Sequence, residues 1–295
     1  MKRRVFLLIA VTMLGGIALN AQEMAYTYVQ QNGTKLEQFG TAAFGVSSNP
    51  EVTFVDGKAV MTVNGNTVAE LPMDNGGQLV VEFTTTLEED RLNKVEKEVG
   101  EAGYATFYSP FQLQVEPWSE VKVHIPTYDS ENNVLKCNES TLVAAGNIIP
   151  AGTGLLLKNA HQAGFYITTG EATIAGKGAL SGSALNIPTS SAALESGNVI
   201  YTLGHEKENK DLFGFFKYTG TSLNAGSAYL VAAKPSSSAK DFVELSFGDE
   251  ATAIDGVDVN GQQSTVNSIF NLAGQKVGAD YKGIVIVNGK KFIKQ

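Results

Sequence analysis

Three histidines, His124, His161 and His205, and a single cysteine, Cys137, carry the widest chemical repertoire in this chain. The histidines lie far apart in sequence, and none falls in a metal-ligand spacing such as His-Glu-x-x-His. His124 alternates with Val121, Val123 and Ile125, so it is expected on the polar side of its strand, in solvent. Cys137 would be a nucleophile only with a histidine beside it in space. Its setting, Leu135-Lys136-Cys137-Asn138, reads instead as a small buried apolar residue. Gly170 to Gly178 superficially resembles a phosphate loop. It has five intervening residues where four are required, and Gly178 stands where Ser or Thr would hold magnesium. Asp129, Glu131 and Asn133, and separately Asp255, Asp258 and Asn260, could offer oxygen ligands to calcium, but neither set matches the twelve-residue calcium loop. There is no Gly-x-Ser-x-Gly elbow, and no pair of carboxylates stands out. The sequence therefore assigns no catalytic residue, no metal ligand and no cofactor.

Aromatic residues are the better lead. Tyr104, Phe107, Tyr108, Phe111 and Trp118 cluster, as do Phe213, Phe215, Phe216 and Tyr218. Consecutive rings such as Phe215-Phe216 point to opposite faces of a strand. One of the two must enter a second core or stand exposed. Rings between two sheets would fill a core. Rings on a surface would make a platform for a sugar or a protein, and Tyr108, Trp118, Phe216 and Tyr218 are the candidates for it.

The elements that must carry these residues read as strands almost throughout. Residues 51–55, 58–63 and 66–71 are joined by Asp56-Gly57 and Asn64-Gly65, which suit the two positive-φ positions of tight hairpin turns. Leu79, Val81 and Phe83 share one face of the next strand, and Phe111, Leu113 and Val115 share one face of a later one. Residues 87–100 are strongly charged and fit either a short helix or a strand or linker. Strands then follow at short intervals to residue 247, as in a sandwich. One local echo joins Ile149-Pro-Ala-Gly-Thr-Gly-Leu-Leu-Leu157 to Leu223-Asn-Ala-Gly-Ser-Ala-Tyr-Leu-Val231, consistent with duplicated halves or with two separate turns of one kind. The expected fold is all-β: a β-hairpin meander, then one or more β-sandwich-like domains, then a small C-terminal β-hairpin unit.

The formal charge is −8, and a net acidic surface repels phosphate backbones, which disfavours nucleic-acid partners. Lys2-Arg3-Arg4, an apolar run over residues 5–14 and small residues up to Ala21 have the three parts of a secretory leader. The run is shorter than the roughly 20 residues that span a bilayer, and no transmembrane segment is expected in the mature chain. With one cysteine, packing alone must hold the exported protein.

The tail from Ser268 to Lys294 carries Asn271-Leu-Ala-Gly274-Gln-Lys276-Val277, Tyr281-Lys-Gly283-Ile284 and Asn288-Gly289-Lys290-Lys291, after Thr252-Ala-Ile-Asp255-Gly256. These motifs resemble the short C-terminal tails of exported Bacteroidales-type surface proteins, related in pattern to type IX secretion sorting domains. Gly103-Tyr-Ala-Thr-Phe-Tyr108 and Ile149-Pro-Ala-Gly-Thr-Gly154 resemble a β-module of the same proteins. The resemblance implies a cell-surface, extracellular or periplasmic location and export machinery as a partner of the tail. It brings no catalytic residue. The expected organisation is a leader over 1–21, a hairpin domain over 22–88, a sandwich-like domain over 89–248, a linker over 249–265 and a sorting-like unit over 266–295. The expected function is non-enzymatic adhesion or binding of a glycan or a surface protein. The alternatives are a carbohydrate-active enzyme or accessory module, and a structural subunit of a surface assembly.

Overall fold

A computed structural model of the chain describes residues 23–84, 92–117, 119–158, 162–192, 197–205, 213–233 and 242–248, and the backbone of four strands between 269 and 294. The leader, the linker, Trp118, His161, Asp255, Asp258 and Asn260 lie outside the described residues. The protein is all-β, and its short helical turns each span three residues. It divides into two compact units, 1–248 and 249–295.

The first hairpins form where the turn chemistry demands them. Asp56 and Gly57, and Asn64 and Gly65, all adopt the positive φ of tight hairpin turns, and Glu51–Val55, Lys58–Val63 and Asn66–Pro72 pair in sequence order. Beside them Met24–Gln31 pairs along its whole length with Gly77–Thr84, and its other edge takes Thr34–Lys35 and Ala42–Gly45. The charged stretch after residue 91 yields a strand, Lys94–Glu98, which pairs with Gln162–Ile167. One apolar cluster runs from Val29, Phe39 and Met61 through Phe107, Phe111 and Leu113 to Phe165. It therefore spans both of the segments, 22–88 and 89–248, that the sequence reads as separate domains.

The centre of the unit is a four-stranded sheet in the order Leu142–Val143, Lys122–His124, Thr153–Lys158, Tyr104–Ser109. Thr153–Lys158 is buried at every position. Leu155 and Leu157 enter the first cluster, whereas Leu156 points the other way into a second one built on Tyr201, Phe215, Leu230 and Val243. The sheet is thus a middle layer with no wet face. Burying Leu155, Leu156 or Leu157 is worth roughly 1.5–3 kcal/mol each.

The second cluster is closed by a seven-stranded sheet, in the order Thr127–Asp129, Val134–Lys136, Phe242–Ser246, Phe213–Lys217, Asn198–His205, Ala228–Ala233, Leu180–Gly182. Its last four strands repeat the middle sheet. Gly154 pairs with Tyr108 and Leu156 with Thr106; in the second sheet Ala228 pairs with Gly182 and Leu230 with Leu180. The small ladders correspond as well, Leu113 to Ile149 and Ile187 to Leu223. Each residue of the second set lies the same number of positions beyond its counterpart. The sequence echo is thus one turn of a duplicated supersecondary unit, and the two copies pack face to face. Close approach is achieved with glycine: a Cβ on Gly154 would lie 2.6 Å from the Leu180 carbonyl oxygen, and one on Gly182 would overlap the Tyr108 ring.

The C-terminal unit is a separate antiparallel sheet in the order Lys276–Val277, Ile269–Asn271, Gly283–Val287, Lys290–Lys294. Two hairpins are present in its backbone, Ile269–Asn271 with Lys276–Val277 and Gly283–Val287 with Lys290–Lys294.

Candidate functional site

The residues with most chemical potential are spent on structure. His124 is buried, contrary to its expected place in solvent, because its strand belongs to the middle layer and Phe247 covers the face that alternation assigns to water. Its ring meets Phe247 edge-on with centroids 5.8 Å apart, and its Nδ1 lies 3.1 Å from the Thr141 hydroxyl. Lys158 is also buried, with Nζ 3.8 Å above the Phe247 ring. That contact replaces part of the ammonium's lost hydration by attraction to the π face. Cys137 packs in the same cluster, as read from sequence, and burial pushes its thiol up to about 12 despite the nearby Lys158 charge. A thiol held protonated and covered is a poor nucleophile. His205 stacks edge-on against Phe213.

The acidic turn is likewise committed. Asp129 is held well below the usual carboxylate range by the Lys136 ammonium at 2.7 Å, then by the side chain and backbone amide of Asn132. Asn133 accepts from the Tyr128 hydroxyl and donates to the Phe242 carbonyl.

A polar constellation that sequence reading missed surrounds Tyr108. Lys177 and Lys58 reach one carboxylate oxygen of Glu70, at 3.0 and 3.4 Å. Lys177 stands between Gly176 and Gly178, both at positive φ, so the motif that mimics a phosphate loop instead turns a lysine back onto the hairpin sheet. Burial first, then the Glu70 charge, pushes the Tyr108 phenol up to about 12. The three groups close over Gly152, whose missing Cβ would lie 3.1 Å from Lys177 Nζ and 3.2 Å from the Tyr108 hydroxyl. The cluster ties the hairpin sheet to both copies of the repeat. A cleft of about 300 Å³ beside Lys35, Glu37, Thr41, Lys94 and Glu96 is internally compensated, with Lys35 paired to Glu37 and Lys94 to Glu96.

Among the described aromatic candidates, Tyr108, Phe216 and Tyr218 lie in different surroundings. Tyr108 is wedged between the two clusters, its ring over Gly182. Phe215 enters the second core, and Phe216 lies on the opposite face of the same sheet. There it stacks on Phe242, directly across the strand pair, with centroids 5.3 Å apart. Gly204 and Gly214 leave room beside these two rings. Tyr218 donates its hydroxyl to the Ser222 carbonyl and packs against a third small cluster.

The most open apolar surface lies elsewhere, on Glu51–Val55. Phe54 and Val55 are 49% and 51% exposed, and among the described residues the strand pairs only with Lys58–Val63. The two-residue turn sets which groups remain free. Val55 and Lys58 close the hairpin as a hydrogen-bonded pair, so the alternation directs the amide and carbonyl of Val52 and Phe54 to the open edge. Val52 and Phe54 share the sheet face of buried Ala59 and Met61, and Val52 itself packs on the first cluster. An open edge with apolar side chains is a template for another strand.

No protein-family model matches the chain, and neither does a curated protein or a solved structure.

Proposed function

We propose that this is an exported, non-catalytic β-protein of the cell surface or periplasm that acts by adhesion, docking an extended segment of a protein partner along the edge Glu51–Val55. The observation carrying this reading is that open strand, with Phe54 and Val55 half-exposed and, among the described residues, no partner for the hydrogen-bonding groups of Val52 and Phe54. Strand addition draws affinity from main-chain hydrogen bonds and selectivity from alternate side chains. Export is supported by Lys2-Arg3-Arg4, the apolar run and Ala21, and by the tail's resemblance to sorting domains. In this reading the separate unit after residue 248 engages the export machinery and takes no part in adhesion.

A second reading, glycan binding, is favoured by the Phe216–Phe242 stack on the outer face of the seven-stranded sheet. One experiment separates the two. Cells displaying the parent protein, Phe54→Pro or Phe216→Ala are compared for retention on a protein coat taken from their own envelope and on a glycan array. Phe54→Pro removes an outward amide and leaves the hairpin ladder intact, because proline is tolerated on the open side of an edge strand. The edge reading expects Phe54→Pro to abolish retention on the protein coat. Loss with Phe216→Ala alone, on glycans, would move the site to the aromatic stack.

A further inference from the structure

We propose that the partner of the edge Glu51–Val55 is the same edge of a second copy of this chain, paired antiparallel about a two-fold axis through Thr53. The proposal rests on the edge reading above and names its occupant.

Hydrogen-bond parity selects the register. Only Val52 and Phe54 turn their amides and carbonyls outward, so a regular antiparallel pair must place outward residues opposite one another. Pairing Val52 with Phe54 of the second copy, and Phe54 with its Val52, uses all of them and sets Thr53 against Thr53. A shift in one direction sets Phe54 against Pro50, which has no amide hydrogen. A shift in the other sets Val52 against Asp56, a turn residue at positive φ. The pairing through Thr53 is therefore the only one that is fully bonded.

The side chains agree with that register. On the core-facing side, the row becomes Met61, Val52, then Phe54 and Ala59 of the second copy. The exposed Phe54 ring of each copy is then covered beside a residue already packed on the first cluster. On the other side Thr53 meets Thr53, a favourable cross-strand pair. Glu51 falls opposite Val55, with Lys58 of the second copy one strand further on the same side, so like charges never oppose. The surface is self-complementary, as a two-fold interface requires. Five residues a side is small for a stable complex, so the association is weak in dilute solution and suited to many copies held on one surface.

The test is disulfide trapping in the full chain. Native Cys137 is buried and its thiol stays protonated, so it does not interfere. Thr53→Cys places two sulfurs across the axis, where paired Cβ atoms lie ~4.5–5.5 Å apart, close to the reach of a disulfide. Val55→Cys is the control, because its counterpart faces Glu51, several residues further along the edge. Under mild oxidation, Thr53→Cys is expected to form a reducible dimer at least about tenfold more than Val55→Cys, and adding Phe54→Lys to Thr53→Cys to suppress it. Phe54→Lys keeps every backbone group, so suppression reports the lost apolar match. Equal trapping at both positions, or none at Thr53→Cys, overturns the proposal. The retention assay then judges the edge reading separately: loss with Phe54→Pro but no trapping leaves the edge docking a different protein, and neither effect overturns both.

Discussion

Gly152 and Gly226 hold the same place in the two halves of the repeat. Each has positive φ, and each donates its amide to a serine carbonyl, Gly152 to Ser109 at 2.9 Å and Gly226 to Ser183 at 2.8 Å. Any other residue would strain both turns. Gly152→Ala and Gly226→Ala are each expected to cost about 1–2 kcal/mol, the usual penalty for a left-handed L-residue. Urea denaturation checks this, and the loss at Gly152 is expected to be the larger, because its added methyl also crowds Lys177 and the Tyr108 hydroxyl whereas that at Gly226 makes ordinary contacts.

Gly182→Ala should be more damaging. The added methyl overlaps the Tyr108 ring, and overpacking of this kind costs about 1–3 kcal/mol. Pairing it with Tyr108→Ala should recover part of the loss in a double-mutant cycle, because the two residues share one contact.

Alkaline pH should expose Tyr108 and Cys137. Both are held neutral up to about 12, by burial first in each case, whereas the unfolded chain ionises them near ~10 and ~8.5. Folding raises both values, so their contribution is complete below the unfolded pKa and is lost as pH rises towards 12. Stability should therefore fall between about pH 9 and 12, and Tyr108→Phe should flatten the upper part of that fall. The same covered thiol should resist a maleimide at pH 8 until the protein unfolds, and reductant should leave the melting temperature unchanged.

Asp129 governs the acid side. Its folded-state value is depressed by Lys136 and Asn132, so its contribution is present above the usual carboxylate range and is lost as pH falls through the depressed value. An NMR titration should place its midpoint below that of an unperturbed aspartate. Asp129→Asn should make the acid limb of the stability curve less steep.

Much of this architecture was legible in the chain. Asp56-Gly57 and Asn64-Gly65 fix their hairpins because the turn type selects those residues. What alternation could not reveal was how many sheets would stack. His124 and Lys158 sit where a two-layer sandwich would have water, and Phe247, far away in sequence, makes that face a second core. The aromatic reading met the same limit. It grouped rings by nearness in sequence, whereas Phe216 finds its partner, Phe242, across the sheet. Lys177 carried a signal in its flanking glycines, but Glu70 meets it only through the tertiary fold.

Deleting residues 268–295 should change where the protein accumulates and leave retention by the purified remainder unchanged, since the tail belongs to a separate unit. Cell fractionation with quantitative blotting reads this. Identical location and amount would remove the address role proposed for the tail.

Adhesion is proposed to run along the edge Glu51–Val55. Amide hydrogen exchange at Val52 and Phe54, measured on dilute purified protein and on protein held at the surface of the exporting cell, tests it most directly. Rapid exchange is expected at both amides in dilute solution and strong protection at the surface, with the hairpin-bonded amides of Thr53 and Val55 protected in both. Equally rapid exchange at Val52 and Phe54 on cells that still adhere would contradict it.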